Sequence, residues 1–221
     1  MELKDAITGR RSIRKFKPDA IEKKVLTEIL EDCRWSPSWG NTQPWELFVL
    51  TGPALEKFRK ASTEKMESGA VFSPEVPMPE EWPEHMKKRY AGLGRVVLTA
   101  QGIAREDKAA RVQFYKEMHA FFGAPCLVIA AVPKDTRLEY AMLDIGLILQ
   151  TLCLAAYDRG IGSCIMAVTV GYPDLLREVL PVPADRRIIM GVALGYPDTD
   201  FPLNRFPRER AKLEDFVTWV S

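Results

Sequence analysis

The chain has only two histidines, His85 and His119, among 221 residues, and its four cysteines, Cys33, Cys126, Cys153 and Cys164, lie far apart. No C-x-x-C pair occurs, so zinc-type spacing is missing and no metal centre is expected. Each cysteine sits in an apolar context and reads as a buried, reduced thiol. An excess of charge is missing too: 31 Lys and Arg face 30 Asp and Glu, leaving a net charge of +1. Broad attraction to nucleic acid or to an anionic membrane is therefore not expected, and any anion recognition must be local. No apolar run reaches the ~18 residues of a membrane span. The opening Met1-Glu2-Leu3-Lys4-Asp5 has no apolar core of signal-peptide length. A cytoplasmic protein is the expectation. Repeats and low-complexity segments are absent, and no Ser-His-Asp or Cys-His arrangement stands out.

What is present is charge gathered into knots. Arg10-Arg11-Ser12-Ile13-Arg14-Lys15-Phe16 packs four cations and a hydroxyl into six residues. Guanidinium forks and a hydroxyl offer several donors in fixed geometry, which suits a phosphate. A solvated basic surface is the other reading of this segment alone. A second cluster, Arg205, Arg208, Arg210 and Lys212, lies at the far end of the chain. The two make sense together if the termini meet around one anion. Ser38, Asn41 and Gln43 share a loop rich in turn formers; it is either a plain polar turn or a reader of planar heteroatom edges. Acid–base candidates are few. His85 and His119 have no patterned carboxylate partner, and Asp144, inside an apolar helix, reads as an internal hydrogen-bonding or capping group. Anion clusters without an acid–base set point to a cofactor that carries the chemistry.

The elements interleave. Helices are expected over Ile21–Trp35, from Pro53 to about Lys65, over Leu138–Arg159 and over Tyr172–Leu180. Strands are expected over Trp45–Leu50, Pro125–Val132, Ser163–Val168 and Ile188–Leu194. Residues 68–84 hold four prolines, which exclude a regular core element. The following stretch to about 121 reads as helical, broken near Gly92-Leu93-Gly94 or at Gly102. The 138–159 helix is apolar almost all round and must be buried on most faces, in part by a second subunit. The tail closes on an amphipathic pattern of Leu213, Phe216, Val217 and Trp219. Gly160-Ile161-Gly162 ends a helix, where a dinucleotide fingerprint would open one. With three or four strands, the fold class is α+β or α/β, in layers.

Several of these motifs occur in the order of one known family. Arg10 to Phe16 resembles the R-R-S-x-R-x-F start of the nitroreductase family of FMN enzymes. Pro37 to Trp45 is similar to its P-S-x-x-N-x-Q-P-W loop, and Asp144 through Gln150 to Gly160-Ile161-Gly162-Ser163-Cys164 to its central helix and exit. Gly195-Tyr196-Pro197 and Arg208-Glu209-Arg210 match its closing motifs. The resemblance implies an α+β three-layer sandwich, with a mixed, mainly antiparallel sheet between helices, in an intertwined homodimer. The whole of residues 1–221 would be one FMN-binding domain, with a variable insertion at about 68–122 covering the flavin. FMN would contact Arg10, Arg11, Ser12, Arg14, Arg208 and Arg210 of one subunit and Ser38, Asn41 and Gln43 of the other. Backbone groups around Ile165, Met166 and Ala167 would face flavin N5. Trp39, Met78, Trp82, Tyr90, Phe114, Tyr115 and Phe121 are candidates to line the substrate pocket. The implied activity is ping-pong hydride transfer from NADH or NADPH, through the flavin, to a small nitroaromatic or quinone. A reductive dehalogenase of the same family, or a flavin-binding protein without fast NAD(P)H turnover, is the alternative.

Overall fold

The computed structural model describes residues 1–104 and 106–221. Among the described residues eleven α-helices and strands follow one another: α1 (Leu3–Gly9), α2 (Lys23–Cys33), β1 (Glu46–Thr51), α3 (Gly52–Glu67), α4 (Glu84–Ala100), α5 (Lys108–His119), β2 (Cys126–Pro133), α6 (Leu138–Asp158), β3 (Gly162–Met166), α7 (Pro173–Val179) and β4 (Arg186–Gly195). The strands form one sheet in the order β1-β2-β4-β3, and every neighbouring pair is antiparallel. Among the described residues the parallel component is a single bridge, Ser12 to Ser163, so the mixed character of the sheet reduces to that bridge.

Strand β2 shows why three layers form. It is apolar throughout, so both of its faces must be covered. Cys126, Val128, Ala130 and Val132 pack with α2 and α6 on one side. Leu127, Ile129 and Ala131 alternate with them and pack with Leu55, Phe58, Phe114 and Leu176 of α3, α5 and α7 on the other. Burying each of these larger aliphatic side chains contributes about 1.5–3 kcal/mol. A bulge between Ala130 and Ala131 places Ile189 as an extra residue in β4 and re-aims the end of that strand.

Most expected elements occur within two or three residues of their predicted limits. The helical break falls at Gly102, where φ is +68°; α4 runs unbroken through Gly92 and Gly94. The strand expected to reach Val168 stops at Met166, and Ala167–Val170 turns into a 3-10 helix. The tail forms no amphipathic helix. In its last part Leu213–Asp215 makes a single turn, and Leu213, Phe216 and Trp219 are exposed. Helix α6 has the length and apolarity of a membrane span. It is instead a core helix, with Ala141, Ile145, Ile148, Leu149, Leu152 and Ala156 buried. Its other face, through Tyr140, Leu143 and Leu147, is left partly or wholly open. All four cysteines are buried and free, as their contexts predict.

Candidate active site

The arginine-rich segment is held at the sheet edge by its two apolar residues. β3 is an edge strand, and Ser12 bridges Ser163 while the Ile13 amide donates to the Ser163 carbonyl at 2.9 Å. Ile13 and Phe16 are buried. Each enters a gap left by a glycine. A Cβ on Gly162 would lie 2.6 Å from Ile13 Cγ1, and one on Gly195 would lie 2.8 Å from the Phe16 ring. Gly162 and Gly195 are register partners in β3 and β4. One pair of missing side chains thus anchors the segment and fixes where its cations stand. Gly9 serves similarly just upstream: a Cβ there would meet Tyr157 Oη at 2.1 Å.

The tail closes on this segment through Asn204, which is buried in the turn Pro202–Asn204. Its Oδ1 accepts from the Arg14 amide at 2.7 Å, and its Nδ2 donates to the carbonyls of Lys15 and Asp198, both at 2.8 Å. Its own carbonyl accepts from the Arg11 guanidinium. The Arg208 guanidinium donates to the carbonyls of Thr8 and Arg10. Arg14 stands 5.7 Å from the Phe206 ring centre, a cation–π distance. The two ends of the chain therefore do meet. Of the second cluster only Arg208 and Arg210 take part. Arg205 pairs with Asp200, and Lys212 with Glu214.

Arg10, Arg11, Ser12, Arg14, Phe206, Arg208 and Arg210, with Glu209 among them, line a cavity of about 1070 Å³ that also takes in Lys88, Arg89, Gly92, Leu93, Arg95 and Val96 of α4. Among the described residues no carboxylate lies within salt-bridge distance of Arg10, Arg11, Arg14, Arg208 or Arg210. Arg10 Nε is buried without a hydrogen-bond partner. Burial, followed by the charges of Arg11, Arg210 and Arg10, holds Arg208 below the usual arginine range. Such a group of cations repels itself and lacks one partner, a dense local anion.

The other expected residues fall into separate places. Ser38, Asn41 and Gln43 lie in a tight loop away from this cavity. Ser38 Oγ accepts from the Gln43 amide at 3.0 Å, and Gln43 Nε2 reaches Asn41 Oδ1 at 3.2 Å. Gly40, Asn41 and Gln43 all have positive φ, a strained state for the two that are not glycine. Asp144 of α6 holds the loop: its Oδ1 accepts from the Trp39 amide at 2.9 Å. That is the internal capping role expected of it. Ile165 is exposed on β3, next to buried Met166, and Ala167 follows at the turn. Cys164 lies behind them. Burial pushes its thiol up to about 11 although Arg14 and Ser12 pull the other way. It is therefore protonated near neutral pH and is no nucleophile.

The seven candidate pocket residues are not gathered. Phe114 and Phe121 are core residues, with Phe121 stacked on Phe58 at 5.1 Å; their side chains are spent on packing under β2. Trp82 stacks on Tyr90 at 6.2 Å, and Trp39 meets Tyr140 at 5.4 Å. Met78, Trp82, Tyr90, Tyr115 and Trp39 are exposed. Asn204, Phe206 and the cations of α4 are site neighbours that sequence reasoning missed. The only signal for the last was the 88, 92, 95 spacing on a charged helix.

The sequence model of the Nitroreductase family matches residues 7–196. A nitrobenzene nitroreductase of Ectopseudomonas oleovorans is 32% identical over 219 residues, covering 98% of this chain and 96% of the relative. A 4-nitrobenzoate reductase of Nocardioides sp. is 30% identical over 230 residues, covering 100% of this chain and 91% of the relative. Among solved structures, the FMN-dependent nitroreductase NfnB of Mycobacterium smegmatis, in complex with NADPH, superposes with a TM-score of 0.93 at 30% identity, over 99% of this chain and 97% of that one.

Proposed function

Since the chain belongs to the nitroreductase family, we propose that its arginine-lined cavity holds the phosphate of FMN and that the protein is an NAD(P)H-dependent reductase of small nitroaromatic compounds. One observation carries this reading: the guanidinium groups of both chain ends line one cavity, where Glu209 is the one carboxylate among the described lining residues and pairs with none of them, and Arg10 Nε is buried and unpartnered. A phosphate monoester, at about −1.5 to −2 charge with several acceptor oxygens, fits that donor set. When bound, the flavin supplies a hydride acceptor and donor at N5. Arg10, Arg11, Arg208 and Arg210 bind and neutralise the phosphate, with Ser12 and Arg14 beside them. Ile165, Met166 and Ala167 form the wall against the ring. The protein groups nearby provide no nucleophile and no paired acid and base, so their part is to bind, orient and exclude water.

The loop of Ser38, Asn41 and Gln43 does not line the arginine cavity of its own chain. A second copy supplies it, and the open face of α6 through Tyr140, Leu143 and Leu147 is the surface on which the copies join. The chain acts as one FMN-binding domain, with the segment at about 68–122 shaping access to the flavin. The names of the relatives, which reduce nitrobenzene and 4-nitrobenzoate, support the nitroaromatic acceptor. Purified protein should carry one FMN per chain, bleach within seconds on anaerobic mixing with NADPH or NADH, and regain colour with nitrobenzene. A colourless protein that takes up no added FMN overturns the site. A yellow protein that neither nicotinamide bleaches overturns the reductase and leaves a flavin-binding protein.

A further inference from the structure

The cavity has more positive charge than one phosphate requires. The cations of the two chain ends already exceed the charge of a phosphate monoester. Helix α4 adds Lys88, Arg89 and Arg95 to the same wall. Arg89 reaches Asp215 at 3.9 Å. Among the described residues Lys88 and Arg95 have no carboxylate within salt-bridge distance. Positions 88, 92 and 95 lie at i, i+4 and i+7, so Lys88, Gly92 and Arg95 share one helix face. Gly92 is the telling residue between the two cations. Glycine in a helix interior costs about 1 kcal/mol relative to alanine. Nothing in the structure calls for it: its φ is not positive, and a Cβ there would meet no atom within 4 Å. The space it leaves opens into the cavity, flanked by the exposed apolar side chains of Leu93 and Val96.

A cleared position between two cations, with apolar side chains beside it, suits a phosphate carried on the ribose of a flat base. We infer that Lys88 and Arg95, across Gly92, receive the adenosine 2′-phosphate of NADPH, so that this chain prefers NADPH to NADH. The 2′-phosphate is favoured over the pyrophosphate because it sits on the ribose attached to the base, next to the apolar side chains. The inference rests on the flavin reading above and names the donor for that site.

Calorimetry on FMN-loaded protein tests it without turnover, using adenosine 2′,5′-bisphosphate and 5′-AMP as probes. The bisphosphate should bind about tenfold tighter or more, as a charge-assisted phosphate contact implies. Lys88→Gln and Arg95→Gln should each weaken the bisphosphate about tenfold and leave 5′-AMP unchanged. Gly92→Ala should raise the thermal midpoint through helix propensity while weakening both probes. A purely structural glycine would give no such opposed pair of effects. Equal affinity for the two probes, no measurable binding of the bisphosphate, or variants without effect would overturn the assignment. Equal losses for both probes would overturn it in favour of the shared 5′-phosphate. Flavin absorbance of the same samples separates the two readings. Protein without flavin fails the proposed function, whereas flavin-loaded protein without discrimination fails only this inference.

Discussion

At the scale of single residues, Arg10 and Arg208 line the same cavity but stand in different surroundings. Arg10 Nε has no partner, whereas Arg208 is tied to the carbonyls of Thr8 and Arg10. Replacing either by alanine should weaken FMN binding by about 2 kcal/mol, roughly 30-fold, since a charge-assisted phosphate contact is lost. Titration of flavin fluorescence against apoprotein reads this directly. Arg208→Ala should also lower the thermal midpoint, because it unties the two chain ends; Arg10→Ala should not. Concentrated arginines were legible in the sequence because their density contradicts a nearly neutral composition. Asn204 was not, since one asparagine after Pro202-Leu203 looks like any turn residue. Its importance comes from groups of Arg11, Arg14, Lys15 and Asp198 that only the fold brings to it. His119 offers a further test. It is buried beside Ser62 and the Tyr172 ring, and burial lowers its pKa below 6.5. Between that lowered value and 6.5 the unfolded chain binds more protons than the folded one. Stability therefore falls as pH drops through this window and is fully present above it. Urea midpoints at pH 7.5 and 5.0 should differ more for the parent protein than for His119→Gln.

At the scale of elements, β3 matters because it is short, at an edge and flanked by small residues. Gly162 and Gly195 face each other and admit Ile13 and Phe16. Gly162→Ala should cost about 1–3 kcal/mol by overpacking Ile13, seen as a lower urea midpoint at an unchanged slope. It should also loosen FMN, because the same anchor positions Ser12 and Arg14. The exit of the long helix was visible as a glycine-rich stop. That one of those glycines is a docking hole for a segment some 150 residues earlier was not, because glycine in sequence shows freedom of backbone and not what fills the space. α4 is a similar case. Its glycines suggested a break, yet the helix runs through them despite a propensity deficit of about 1 kcal/mol per residue. The aromatics Phe114 and Phe121 misled in the other direction. A phenylalanine in an unfamiliar segment is compatible with a pocket or with a core, and the stacking on Phe58 decides for the core.

At the scale of the whole molecule, the two parts of the expected site do not meet in one chain. The arginine cavity is at the β3 edge, while the Ser38–Gln43 loop is held by Asp144 near the start of α6. The proposed dimer would bring both parts together, with the exposed side chains of Tyr140 and Leu143 on α6 as its contact. Leu143→Glu places a charge on that face without touching the core, as Leu143 is exposed. It should sediment at half the parent mass and lose FMN on gel filtration, with helical content preserved. A variant that remains dimeric and yellow would show that the copies meet elsewhere.

Legible along the chain are the interleaved helices and strands of a layered fold, the apolar central strand and helix, and the charge clusters that carry the family likeness. These are properties of composition and local periodicity, which act over a few residues. Tertiary packing settled that Arg208 and Arg210, but not Arg205, line one cavity with Arg10. It alone decided that Asn204 clasps the two ends, that Gly162 is a hole for Ile13, and that α4 adds its cations to the same cavity. Each of those facts is a distance between residues far apart in the chain, set by how the layers pack, and no local pattern encodes it.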